Sequence, residues 1–456
     1  MDDSGKAKRL PQFLAAVFIC IGAMGTGTVI GWTANINKEL EEGALNDITT
    51  ASLNWIGSIM PIGAVVVCIP IGILADLIGR KFTILLTTIP FVLGWALIIF
   101  SASAEMIYAG RFFTGMAGGS FCIMAPLYTS EIAETAIRGT LGTFLQLFIT
   151  IGILYAQVFG YAVSVKALCY LCGIVPIIFA VLYATQPETP VYLMKKGKRE
   201  KAMKVFEKLR GKQYDPSAEI NEIQAEIDKQ EALKSEFWTQ LKTKQGKRAS
   251  LICFMLMFYQ QFSGINAVMF YSQKIFIAAK STIEPKICTI IIGAVQICAT
   301  LFSSWSIDKL GRKILLMLSD GLMALATFLL AIYFLVSERG LASSETVTSL
   351  GWLPLISLIV FIIAFSIGMG PIPWLASSEI FPPAIKAKMG AAAGTFNWFL
   401  AFLVTVGYGG VAESAGAYTT FFIFTIVSAS GVFFILFVMP ETKNKSFEEI
   451  QEELGK

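Results

Sequence analysis

Gln260, Ser263 and Asn266 recur at intervals of three inside a run that is otherwise apolar, with Gln261 next to the first of them. On a helix that spacing puts them within one broad face, and the dipeptide Ser263-Gly264 weakens the helix between them. Amides donate and accept hydrogen bonds without carrying charge, so such a face suits an uncharged ligand rich in hydrogen-bonding groups. The alternative is that they only join one helix to another. A second polar stripe holds Gln146, Thr150 and Gln157, the two glutamines standing about three helical turns apart. Catalysis finds no comparable apparatus. The chain has no His, and Cys169 and Cys172 have CxxC spacing but lie in an apolar run without a second pair, which favours packing over metal or redox chemistry. No GxxxxGK[ST] loop is present to cradle a nucleotide. The expectation is therefore a non-enzyme with no cofactor and no metal.

These polar residues must be positioned by elements suited to lipid. The chain of 456 residues is 55% hydrophobic and 15% charged, too much apolar surface for a water-soluble fold. Apolar runs of about 20 residues, enough to cross a hydrocarbon core, recur along the chain. They predict helices over 12–32, 53–75, 83–101, 106–130, 140–162, 166–186, 249–272, 286–307, 314–336, 352–377, 388–410 and 417–438. The fold class expected is an all-α polytopic membrane protein of twelve transmembrane helices. Its divisions are an N-terminal bundle over 1–186, a helical linker over 187–248, a C-terminal bundle over 249–438 and a tail over 439–456. Placing Met1 in the cytoplasm leaves about 29 of the 36 Lys and Arg on the inner side, so both termini and the linker are expected there. The net charge of +4 reflects that asymmetry and gives no reason to expect a nucleic-acid partner. Within the linker, 199–209 and 218–232 carry apolar residues at helical spacing among Glu and Lys, the pattern of short amphipathic helices.

Charged signatures recur once in each half. Asp76-Leu77-Ile78-Gly79-Arg80-Lys81 returns as Asp308-Lys309-Leu310-Gly311-Arg312-Lys313. Ser130-Glu131-Ile132 with Arg138 returns as Ser378-Glu379-Ile380 with Lys386, and Pro187-Glu188-Thr189 returns as Pro440-Glu441-Thr442. Three signatures in the same order mark two parallel six-helix repeats, and carriers built from repeats bind their cargo where the repeats meet. The chain resembles the sugar porters of the major facilitator superfamily. The resemblance rests on Gly72-x3-Asp76-x2-Gly79-Arg80-Lys81, Arg111-Phe112-x2-Gly115, Glu131-x6-Arg138-Gly139, Pro187-Glu188-Thr189-Pro190, Gln260-Gln261-x-Ser263-Gly264-Ile265-Asn266, Gly370-Pro371-Ile372-Pro373-Trp374 and Pro440-Glu441-Thr442-Lys443. It covers essentially the whole chain, and within the family it is most similar to insect trehalose facilitators and animal glucose facilitators.

The resemblance implies a small sugar as partner, the lipid bilayer as surroundings, and a site made of Gln146, Gln260, Gln261, Asn266, Gln296, Trp374, Asn397 and Trp398. Gln296 stands where the family often has Asn. Trp374 is implied to cover the sugar from the inner side, beside helix-breaking Pro371 and Pro373. Asp76, Arg80, Glu131, Arg138, Asp308, Arg312, Glu379 and Lys386 are implied to form an inner gate of ion pairs, with Lys386 replacing a common Arg and Val191 replacing another. Proton-coupled relatives carry an acid in their first helix, whereas 11–32 contains neither Asp nor Glu and the nearest equivalent is Thr33. Facilitative uniport of a hexose or trehalose by alternating access, in the plasma membrane, is the expectation. A proton-coupled sugar or polyol carrier and a transport-poor sugar sensor are the alternatives.

Overall fold

The computed structural model describes residues 8–45 and 49–455, without the side chains of Thr50, Ala51, Lys234, Ser304 and Asp308. Eleven of its helical segments are long and apolar enough to cross a membrane. In chain order they are span 1 (Leu10–Asn35), span 2 (Ser52–Ile78), span 3 (Arg80–Ile99), span 5 (Thr135–Ala162), span 6 (Val165–Ala184), span 7 (Lys244–Ala278), span 8 (Pro285–Ile307), span 9 (Arg312–Glu338), span 10 (Ser344–Ile380), span 11 (Pro383–Ala415) and span 12 (Ala417–Val438). A further helix of 29 residues, Ala104–Ile132, completes the expected twelve as span 4. It is less apolar because it meets protein rather than lipid. Its Gly110 lies against Gly94 of span 3, Gly115 against Met60 and Gly119 against Ala64 of span 2, contacts in which a Cβ has no room. Small residues of this kind let helices approach closely where no hydrophobic force draws them together.

Within the first half span 1 packs on spans 5 and 6, and span 4 on spans 2 and 3; within the second, span 9 packs on spans 10 and 12. The halves meet along span 2 with span 11 and span 5 with span 8, and also where the end of span 1 reaches span 7. The linker forms the helices Pro190–Lys195, Arg199–Arg210, Ser217–Leu233 and Phe237–Lys242. Leu193, Met194, Ala202, Phe206, Ile220 and Ile227 give it a small core of its own, as the amphipathic spacing of the linker leads one to expect. Cys169 and Cys172 are both fully buried in span 6, in keeping with packing.

Two spans are interrupted at membrane depth, each where the sequence carries a breaker. Span 7 stops at Phe262 and restarts at Ile265, with Gly264 at φ 94° as the residue that turns the chain. Span 10 passes through a π-helical turn, Phe365–Met369, before resuming at Ile372. Pro371 and Pro373 have no N–H to offer the carbonyls of Ile367 and Met369, four residues earlier. Other spans supply the missing donors: Ser303 Oγ of span 8 reaches Ile367 O at 3.4 Å, and Gln260 Nε2 of span 7 reaches Met369 O at 2.7 Å.

The Pro-Glu-Thr signatures close each half in the same way. Glu188, just past span 6, accepts hydrogen bonds from the backbone N–H groups of Arg80, Lys81 and Thr189. Glu441, just past span 12, accepts from those of Arg312, Lys313, Thr442 and Lys443. A carboxylate here complements the positive end of the helix it caps. For Glu441, burial alone would push the carboxyl up, but these backbone donors hold it below its usual range. For Glu188 burial prevails and pushes it up, against the donors of Thr189, Lys81 and Arg80 and the charge of Arg80. Both caps need the preceding residue to be Gly. Gly79 and Gly311 have φ 106° and 91°, and a Cβ on either would run into the capping carboxylate. Gly79→Ala and Gly311→Ala are each expected to cost about 1–3 kcal/mol, read as a lower melting temperature of the purified protein. Gly72→Ala, where a Cβ meets open space, should leave it unchanged or raise it.

Candidate functional site

At the break in span 7, four amides form a chain across three spans. Asn266 Nδ2 donates to Gln261 Oε1 at 2.5 Å, and Gln261 Nε2 donates to Asn397 Oδ1 of span 11 at 2.9 Å. Asn397 Nδ2 donates to Gln260 Oε1 at 2.6 Å, and Gln260 Nε2 ends the chain on Met369 O and on Gly370 O at 2.9 Å. Gln260, Gln261 and Asn397 are buried, and Asn266 is partly exposed. Both amide hydrogens of Gln260 are thus spent on span 10 backbone. It is a joint between spans 7 and 10, while Asn266 and Gln261 stand nearer the open side of the cluster. Trp374, 38% exposed, lies over Gly394 of span 11 at 3.4 Å from where a Cβ would stand, and Trp398 is buried beside Asn397 in sequence.

The remaining expected ligands lie elsewhere in the same space between the halves. Gln146 is exposed in span 5, towards the linker end. Gln296 of span 8 is buried, its Oε1 without a hydrogen-bond partner among the described residues. Gln157, further along the span 5 stripe, is buried with neither amide atom partnered among them. Thr33 is buried where span 1 gives way to a short 3-10 turn, Thr33–Asn35.

Bonds between the halves cluster at the end opposite the linker. Glu39 pairs with Lys286 at 2.6 Å and Glu41 with Lys274 at 2.7 Å. Asn37 Nδ2 reaches Phe270 O at 3.1 Å, and Tyr271 OH reaches both Asn54 O and Thr405 O at 3.3 Å. At the linker end Gln146, Trp374, Arg138 and Lys386 are all exposed. The molecule stands closed at the far end and open at the linker end.

The charged signatures form their pairs within each half. Arg80, only 2% exposed, holds Asp76 at 2.9 Å and Glu131 at 3.1 Å, and Thr189 Oγ1 donates to Glu131 at 2.5 Å. In the second half Arg312 holds Glu379 at 3.0 Å, and Thr442 Oγ1 donates to Glu379 at 2.6 Å; the Asp308 side chain lies outside the described residues. Among the described residues Arg138 reaches only the Ala133 carbonyl, at 3.5 Å. The Arg80–Glu131 and Arg312–Glu379 pairs are therefore intact while this end is open. The resemblance named the charged residues of these pairs but not Glu188, Thr189, Glu441 and Thr442 beside them, although the recurrence of Pro-Glu-Thr was the signal. Asp320 in span 9, fully buried with both carboxyl oxygens unpartnered among the described residues, belongs to no motif that the sequence displays.

A family model described as "Sugar (and other) transporter" matches residues 13–454. The chain belongs to that family of sugar transporters. It is 37% identical over 448 residues to the facilitated trehalose transporter Tret1 of Polypedilum vanderplanki, covering 97% of this chain and 88% of that one. It is 36% identical to a Tret1-2 homolog of Drosophila simulans, covering 97% and 91%, and 36% identical to Tret1 of Drosophila mojavensis, of which it spans 51%. The inward-open xylose transporter XylE from E. coli superposes with a TM-score of 0.81 over 97% of this chain and 99% of that one, at 22% identity. XylE bound to 6-bromo-6-deoxy-D-glucose gives 0.77 at 21% identity, over 98% and 99%. These likenesses establish an all-α major facilitator fold, a multi-pass membrane protein, and a transporter rather than an enzyme.

Gln260→Ala leaves the Met369 and Gly370 carbonyls without their donor, a loss of about 1–3 kcal/mol. Sugar uptake should fall at least about tenfold, with a lower melting temperature. Gln261→Ala should reduce uptake similarly but leave the melting temperature closer to wild type. Wild-type uptake by both variants would separate the cluster from transport. For the charges, Glu379→Arg should cost stability, and adding Arg312→Glu should recover part of it. Arg138→Ala with Lys386→Ala should instead raise linker-side labelling of an engineered cysteine, on a background lacking native cysteines, by about threefold.

Proposed function

We propose that the chain is a facilitative carrier of a neutral sugar, trehalose or a hexose, working by alternating access. The observation that carries this reading is the Asn266–Gln261–Asn397–Gln260 chain beside Trp374. It is an uncharged, hydrogen-bonding surface with an aromatic face, at the break of a membrane span and between the two repeats. Sugar hydroxyls match such amides, and the apolar face of a pyranose matches the indole. The names of the insect relatives support trehalose. Both termini and the linker are assigned to the cytoplasm of a plasma-membrane protein on the excess of Lys and Arg there, so the structure is the inward-open state. Arg138 and Lys386, exposed at the open linker end, serve the inner gate, while the Arg80–Glu131 and Arg312–Glu379 pairs hold each half rigid as it moves.

One observation favours a second reading, proton-coupled transport. Asp320 is a carboxyl sealed in a membrane span, where an unpaired charge is costly, and such groups commonly carry protons. Purified protein in liposomes loaded with equal trehalose on both sides decides between them. A uniporter equilibrates labelled trehalose at the same rate with or without an inward proton gradient and never concentrates it. Accumulation above the external concentration, lost in Asp320→Asn, would replace uniport with symport. Labelled glucose offered in parallel identifies the smaller substrate.

A further inference from the structure

Two groups of amides lie where the repeats meet. Gln260, Gln261, Asn266 and Asn397 satisfy one another, whereas three others, drawn together from spans 1, 5 and 8, do not. Gln157 is fully buried, and neither its Nε2 nor its Oε1 has a hydrogen-bond partner among the described residues. Its side chain lies against Gly293 of span 8, where a Cβ would collide with Oε1. Gln296 follows Gly293 by one turn on the same face, and its Oε1 is also unpartnered among the described residues. Asn35 places its Nδ2 on the backbone carbonyl of Gln157 at 2.8 Å and on that of Lys286 at 3.3 Å, and its own Oδ1 is unpartnered among the described residues. The group sits at the seam between the halves, just inside the closed end, where Lys286 pairs with Glu39 and donates to Gly160 O at 3.3 Å.

We propose that Gln157, with Gln296 and Asn35, forms a second polar subsite that receives sugar hydroxyls arriving from the end opposite the linker. Sealing amides without partners is unfavourable, and the seam that seals them is one the carrier must open in each cycle. When it parts, these donors and acceptors meet whatever enters. Gly293 supports the reading, because the absent side chain makes the space that Gln157 fills in the closed state. Gln146 lies on the same stripe of span 5, about 16 Å away along the helix, and is open to the linker end. One face of span 5 therefore offers an amide at each mouth of the path.

The proposal rests on the sugar-carrier reading, and its test separates the two. Gln157→Leu keeps the volume and removes the amide. In liposomes with protein orientation resolved, it should raise KM for trehalose presented at the end opposite the linker by about fivefold with little change in kcat there, and leave half-saturation from the linker end unaltered while the maximal rate from that end falls by the same factor, as equal kcat/KM at the two faces of a uniporter requires. Its melting temperature should rise, because an apolar isostere replaces an unsatisfied buried amide. Gln296→Leu should share the one-sided KM effect, which keeps the test open should Gln157→Leu fold poorly. Unchanged KM at both faces in both variants, with wild-type protein transporting normally, overturns the subsite alone. So does an equal rise of KM at both faces with a lowered melting temperature, the mark of a structural residue. A wild-type protein that moves no trehalose or glucose overturns the carrier reading and the subsite with it.

Discussion

Hydrocarbon supplies no hydrogen bonds, so every backbone group freed within a span must find a partner inside the protein. That constraint ties the fold to its site. Pro371 and Pro373 strip the carbonyls of Ile367 and Met369 of their helical donors, and the protein answers with Ser303 from span 8 and Gln260 from span 7. The break in span 10 thereby recruits the break in span 7. Gln260, once committed to span 10, orients Asn397, Asn397 orients Gln261, and Gln261 orients Asn266. A cluster of amides that would otherwise rotate freely is held in one arrangement by the N–H that Pro373 lacks.

How much of this was legible in the sequence varies with the distance over which a signal acts. The twelve spans were, since each is a local run of apolar residues, and even span 4 with its polar and small residues stood out beside its neighbours. The breaks were legible too, through Ser263-Gly264 and the paired prolines. Pairing across spans was less so. The repeat marked Arg312 and Glu379 as charged counterparts of Arg80 and Glu131, but the use of Glu188 and Glu441 as helix caps depends on how the ends of spans 6 and 12 return to spans 3 and 9. The order of amides in the chain depends on the rotation of spans 7, 10 and 11 about their axes, which no local pattern encodes. Asp320 carried no motif, and only its complete burial marks it.

The two ends of the molecule are held by different means. At the linker end each half is fastened to itself, through Arg80, Glu131 and Thr189 on one side and Arg312, Glu379 and Thr442 on the other. At the far end the halves are fastened to each other, through Glu39 with Lys286, Glu41 with Lys274, and the Tyr271 hydroxyl. Internal fastening makes each half stiff enough to move as a body, and contacts between halves are then what a change of state must break and remake. These far-end ion pairs are partly exposed, so each is weak alone, a suitable strength for bonds that open in every cycle.

The capping carboxylates also bear on how such a chain is made. The amides at the start of span 3 wait for Glu188, 108 residues later than Arg80, and those at the start of span 9 wait for Glu441, 129 residues later than Arg312. Until the ribosome has delivered those acids, the first turns of two spans carry unmatched N–H groups and a buried arginine side chain has only part of its shell. Each half is then complete only with the residues just past its last span, so assembly in the bilayer has a natural checkpoint at Thr189 and another at Thr442, where a nascent chain becomes a finished repeat.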